Sequence, residues 1–167
     1  MNNRAIIITI AGLAVATAAW ALFRPELLFI DKSVNESFPA KADSAGAAPT
    51  SATSGPRALA TGMFHGVAHE TKGTATIHEL DGGKRVLRLT EFETSNGPDV
   101  RVLLIAAADA SDNDSVKAAM PIELAPLKGN VGDQNYDLPA GVDLGKYRAV
   151  TIWCNRFGVN FGTAALR

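Results

Sequence analysis

The run Thr74-Ala75-Thr76-Ile77-His78-Glu79-Leu80-Asp81-Gly82-Gly83-Lys84-Arg85-Val86-Leu87-Arg88-Leu89-Thr90-Glu91-Phe92 decides the fold class. Two stretches, 74–80 and 85–92, alternate apolar or β-branched residues with polar ones and flank Asp81-Gly82-Gly83, which is the pattern of a β-hairpin. Asn96-Gly97-Pro98 then marks a turn, and the nearly continuous apolar run from Val100 to Ala106 suits a strand covered on both faces. Ala107 to Met120 carries Asp109, Asp112 and Asp114 without EF-hand spacing, so it reads as a solvated loop or at most a helical turn. Arg148 to Cys154 and Val159 to Leu166 are two further strands joined by Asn155-Arg156-Phe157-Gly158. Short strands recurring without a long helical period predict an all-β unit over 59–167, an antiparallel β-sandwich or barrel-like domain.

Upstream the texture is different. Ala5 to Phe23 carries no charge, is bracketed by Arg4 and Arg24, and holds Trp20 near one end. At about 1.5 Å per residue it nearly spans a hydrocarbon core of about 30 Å, so 1–24 reads as one transmembrane helix preceding the β domain, an uncleaved signal-anchor. The rival is a cleaved signal peptide ending near Ala16-Thr17-Ala18, against which the apolar run is long. Weighing Arg4 and the amino terminus against Arg24 and Lys32 places the N-terminus inside and the C-terminal domain outside the cytoplasm, on a single-pass cell-membrane protein. Residues 25–58 read as stem and linker. Leu27 to Ile30 form an apolar cluster that suits either a membrane surface or local packing, and Ala40 to Ala58, rich in Ala, Ser, Thr, Gly and Pro, reads as a spacer letting the domain reach away from the bilayer.

Composition excludes several functions. With 16 basic and 17 acidic residues and a net charge of -1, nucleic acid is not an expected partner. The single cysteine, Cys154, forbids an internal disulfide and any Cys-x-x-Cys motif. There is no Gly-x-Ser-x-Gly setting and no phosphate-binding Gly-rich loop before a helix, and neither His nor Met follows Cys154 as a blue-copper site requires.

Cys154 is nevertheless the residue to follow. Alternation puts Val150, Ile152 and Cys154 on one strand face and Thr151 and Trp153 on the other, with Cys154 at the strand end. Two readings stay open: a small buried hydrophobe, or a reactive or ligating thiol that an oxidising compartment would otherwise consume. His65 and His69 would stand about 13 Å apart in an extended chain, so no two-histidine zinc site is expected and no metal is assigned. His69 and His78 flank Gly73 and meet Cys154 only through the fold.

A series of short motifs carries a resemblance. Gly62-Met63-Phe64, His69, Gly73-Thr74-Ala75-Thr76-Ile77, Asn96-Gly97-Pro98-Asp99, Leu127-Lys128-Gly129-Asn130 with Gly132 and Tyr136, Leu138-Pro139, and Trp153-Cys154-Asn155-Arg156-Phe157 together resemble the DM13 domain family. The resemblance implies electron transfer, often beside DOMON-type domains, with a characteristic cysteine acting as a bare redox thiol or as ligand to a group such as haem. Cys154 matches that cysteine and His69 an early histidine of the family. Cys154 is therefore the candidate redox thiol, and Cys154 with His69 the candidate cofactor ligands, for haem, another redox group, or none.

No DOMON or cytochrome pattern accompanies the domain, which points to a separate, unidentified redox or envelope protein as partner, besides the membrane through residues 5–23. Arg156 would shift a nearby thiol toward thiolate. Trp153 and Phe157 are expected to support packing, and Gly97, Gly129 and Gly132 to serve turns. The leading expectation is a membrane-anchored extracytoplasmic electron-transfer module centred on Cys154, more a transfer or binding module than a stand-alone enzyme. The alternative is a non-catalytic cell-envelope binding module with a structural Cys154; an enzyme acting through a Cys154 sulfenic acid is chemically permitted but has no motif of its own.

Overall fold

A computed structural model describes residues 3–23, 30–39 and 56–167. The chain divides into two units, Met1–Ile30 and Asp31–Arg167.

The first unit is helix α1, Asn3–Phe23. Its large apolar side chains, among them Ile7, Ile8, Ile10, Leu13 and Val15, are exposed. Among the described residues no helix is long and apolar enough to cross a membrane, so the expected transmembrane signal-anchor is not upheld. Thr9, Gly12 and Thr17 and several alanines dilute the large aliphatic side chains of α1. Arg24, most of the apolar cluster at 27–30 and the spacer from 40 to 55 lie outside the described residues.

The second unit is built from eight strands: β1 Arg57–Gly66, β2 Lys72–Glu79, β3 Arg85–Glu93, β4 Val100–Ile105, β5 Ile122–Pro126, β6 Gln134–Asp137, β7 Ala149–Cys154 and β8 Val159–Ala165. A short helix, α2 Asn113–Ala118, lies between β4 and β5. All strand pairs are antiparallel, in the order β5-β4-β7-β8-β1-β2-β3-β6. The hairpin read from 74–92 is present, with Ile77 opposite Leu87 and Glu79 opposite Arg85. β1 serves two partners: 57–63 pairs with β2, while Phe64, His65 and Gly66 pair with β8. One strand thus turns a corner between two halves, and the sheet curls into a nearly closed barrel.

The connection from β5 to β6 is tied back onto β6 by side chains. Gln134 exchanges hydrogen bonds with the backbone of Gly129, and the Tyr136 hydroxyl accepts from the Lys128 N–H and donates to Gln134. The barrel interior holds Phe64, Ile77, Leu87, Leu89, Phe92, Val102, Leu104, Val150, Ile152, Cys154 and Phe161. On the outer face of β4 and β7, Leu103, Ile105, Ala149 and Trp153 pack against Val116 of α2. That second cluster explains why β4 and β7 are apolar at successive positions: both their faces are covered.

β1 begins at Arg57, ahead of the boundary expected at 59. The stem departs further from expectation. Asp31 to Pro39 belongs to the β unit, with Ser33 bridged in parallel to Val131 and Val34 N–H and Glu36 N–H bonded to the carbonyls of Val131 and Asp133.

Candidate functional site

Three of the sequence motifs converge at one end of the barrel. Cys154 closes β7, where it lies opposite Val100 on β4 and Val159 on β8. The Asn155 N–H donates to the Asp99 carbonyl, and the Leu127 N–H to the Val100 carbonyl, so 96–99, 127–130 and 153–157 are held side by side.

Asp99 is the polar centre of this end. Its carboxylate accepts from Arg101 Nε at 2.5 Å and from Asn155 Nδ2 at 3.1 Å. The bond from Arg101, then that from Asn155, with the Arg101 and Arg156 charges adding to them, hold the Asp99 carboxyl below its ordinary value. Gly97 is fixed by proximity: a Cβ there would come to 2.7 Å from Val100 Cγ2 and 3.1 Å from the Phe161 ring. It is the absence of a side chain that lets the loop close over the core.

Cys154 itself is fully buried, with 0% exposure, and its thiol is free. The face assignment holds: Val150, Ile152 and Cys154 all join the interior cluster, while Trp153 joins the outer one. Arg156 is exposed on the turn and acts electrostatically on Asp99. Trp153 packs as expected, but Phe157 is 68% exposed and does not.

The histidines go to different places. The His69 ring is half-buried against Phe161, with centroids 4.0 Å apart, so it borders the same interior cluster that contains Cys154. His65 Nε2 lies 2.9 Å from Asp109 on the surface. His78 sits under Phe38, ring centroids 4.8 Å apart, and burial followed by the Arg88 charge lowers its pKa. Among the described residues no three His, Cys, Asp or Glu side chains gather as metal ligands.

A cleft of about 270 Å³ opens beside the converging loops, lined by Asn96, Gly97, Pro98, Val100, the 126–130 segment, Ser95 and Lys32. Val100 connects it to Cys154 as the thiol's cross-strand neighbour, but Cys154 does not line it. Two further clefts are of about 210 and 190 Å³. Sites for sizeable cofactors run to roughly 300–1,000 Å³. A haem ligated by Cys154 does not fit this arrangement: the sulfur is fully buried among aliphatic and aromatic groups, and Cys154 lines none of these three clefts.

A family model described as Electron transfer DM13 matches residues 63–166, well over half of the chain. The chain belongs to the DM13 family. No curated protein and no solved structure matches it. The DM13 match takes in β2 to β8 and the C-terminal part of β1, and it leaves out the docked segment at 31–39. Sequence reading treated the Asn96–Asp99 and Leu127–Asn130 motifs of the DM13 domain as turns; it missed that Asp99 ties two of the motifs together. The available signal was an acidic residue closing one motif and an asparagine within another.

Proposed function

We propose that this DM13 domain is an electron-transfer module held at the outer face of a membrane, with Cys154 as its redox group, shielded beneath the Asp99-linked loops. The observation that carries this reading is the convergence of the Asn96–Asp99, Leu127–Asn130 and Trp153–Phe157 motifs on the strand end occupied by the chain's one cysteine. With one cysteine the chain cannot complete a disulfide alone, so the reaction open to Cys154 is exchange with a partner's disulfide: its thiolate, having lost a proton to water, bonds one partner sulfur as the partner's S–S bond breaks and the other sulfur leaves as thiolate. The partner is a separate redox or envelope protein. The exposed apolar side chains of α1 are the feature that would keep the protein at a membrane, with the domain extracytoplasmic.

The second reading, a non-catalytic envelope-binding module in which Cys154 is structural, is favoured by the complete burial of the thiol. One experiment separates the two. The purified full chain is examined for an optical spectrum, for metal, and for reaction of Cys154 with a thiol reagent, with Cys154→Ala as control and Asp99→Asn to loosen the loops. Under the redox reading the native thiol reacts slowly and Asp99→Asn accelerates it at least several-fold without unfolding. A thiol silent in both proteins until denaturant is added supports the structural reading. Protease digestion of intact cells tests the location: an extracytoplasmic domain is degraded from outside.

A further inference from the structure

The segment from Asp31 to Phe38 is bound to the barrel in the manner of a peptide in a recognition groove. Its backbone adds a parallel strand to the edge at 131–133, through Val34 N–H to Val131 O and Glu36 N–H to Asp133 O, both 2.9 Å. Side chains then read it. Asn130 accepts from the Lys32 N–H and donates to the Asp31 carboxylate, both at 2.7 Å. The Glu36 carboxylate receives Lys128 Nζ at 2.7 and 2.9 Å and the Asn135 N–H at 2.7 Å. Arg88 donates to the Glu36 carbonyl and Asn135 Nδ2 to the Ser37 carbonyl. Phe38 ends the segment, its ring against His78 and under the Arg88 guanidinium.

Two motif glycines make the fit. A Cβ on Gly129 would lie 2.2 Å from the Lys32 carbonyl oxygen, and one on Gly132 2.2 Å from that of Val34. Both distances are impossible, so these glycines serve the approach of the segment and not only the turns they occupy. Added-strand bonds supply affinity while side-chain sites supply selectivity, the division of labour in β-augmentation. The groove residues lie within the DM13 match and the segment lies outside it.

We propose that Arg88, Lys128–Gly132 and Asn135 form a docking groove for an extended peptide carrying a carboxylate and, two residues later, an aromatic ring, and that residues 31–38 are its built-in, exchangeable occupant. The groove shares Lys128–Asn130 with the loops that cover the Cys154 end, but the contacts that hold the segment do not include Cys154. Its ligand is held by contacts that need no covalent continuity with Arg57.

The test uses the full chain with a specific protease site placed between Ala48 and Pro49. After cutting, the N-terminal piece is expected to co-elute with the β domain, and excess synthetic peptide Ile30–Pro39 to displace it. The same peptide bearing Glu36→Ala should need at least tenfold more. In the cut chain carrying Lys128→Glu the pieces should separate while circular dichroism stays that of the folded barrel. Separation of the cut wild type would overturn the proposal, as would displacement that ignores Glu36, no displacement at all, or co-elution that survives Lys128→Glu in a folded protein.

Discussion

Cys154 shows how far a single residue's character can be read from its neighbours. The alternation Val150, Ile152, Cys154 predicted the face it occupies, and it occupies that face at 0% exposure. What the alternation could not supply was the cover: Asp99 lies 55 positions earlier and reaches Asn155 only because β4 pairs with β7. Replacing Cys154 by Ala removes one buried sulfur and should cost about 1–2 kcal/mol in denaturant unfolding. Cys154→Ser should cost more, since it buries a hydroxyl where aliphatic side chains offer few partners.

Tyr136 gives a pH dependence at the same scale. Burial pushes its phenol up to about 12, the Glu36 charge adding to this while the Lys128 N–H bond opposes it. The unfolded phenol ionises near pH 10 and the folded one does not, so stability is intact below pH 10 and is lost as pH climbs from there toward 12. Denaturant midpoints measured at pH 8, 10 and 11 should fall across the last two, and Tyr136→Phe should flatten part of that fall.

Among the elements, those with strong period-two patterns were legible and those without were not. β2, β3, β4, β7 and β8 follow their alternating or continuous apolar runs. β6 is the polar tetrapeptide Gln134–Asp137, whose two buried members, Gln134 and Tyr136, carry hydrogen-bonding groups that hide the pattern. β5 ends in Pro126, and β1 mixes Gly62, His65 and Gly66 into a mostly exposed strand, so neither announces itself. The docked segment at 31–38 was illegible for the same reason: its specificity resides in the residues of the groove.

Buried polar groups fix the placement of α2. Asn160 is fully buried, its Nδ2 donating to the Ala110 carbonyl and to Thr163, while its own N–H donates to Asn113. Asn160→Ala takes the Nδ2 donor from the Ala110 carbonyl and the Thr163 hydroxyl, leaves the backbone bond to Asn113, and should cost about 1–3 kcal/mol. Hydrogen exchange should show the loss first at residues 109–118, with the β2–β3 hairpin unaffected.

For the whole molecule, the strand order sets cooperativity. β8, the last strand in sequence, sits between β7 and β1 and joins the two halves of the barrel. No fragment that stops short of β8 contains a complete core. A chain ending at Gly158 should therefore show no cooperative unfolding transition by circular dichroism, whereas removal of Arg167 alone should leave the transition in place. The antiparallel, barrel-like class was readable in advance from strand spacing, while the near closure was not, because the two edge strands, β5 and β6, show no clear alternation in sequence.

The seated segment changes what the long low-complexity stretch is for. Pro39 and Pro56 both belong to the β unit, so the chain between them is closed at both ends. Doubling such a loop costs only about 0.6 kcal/mol of closure entropy and adds nothing to the domain's range.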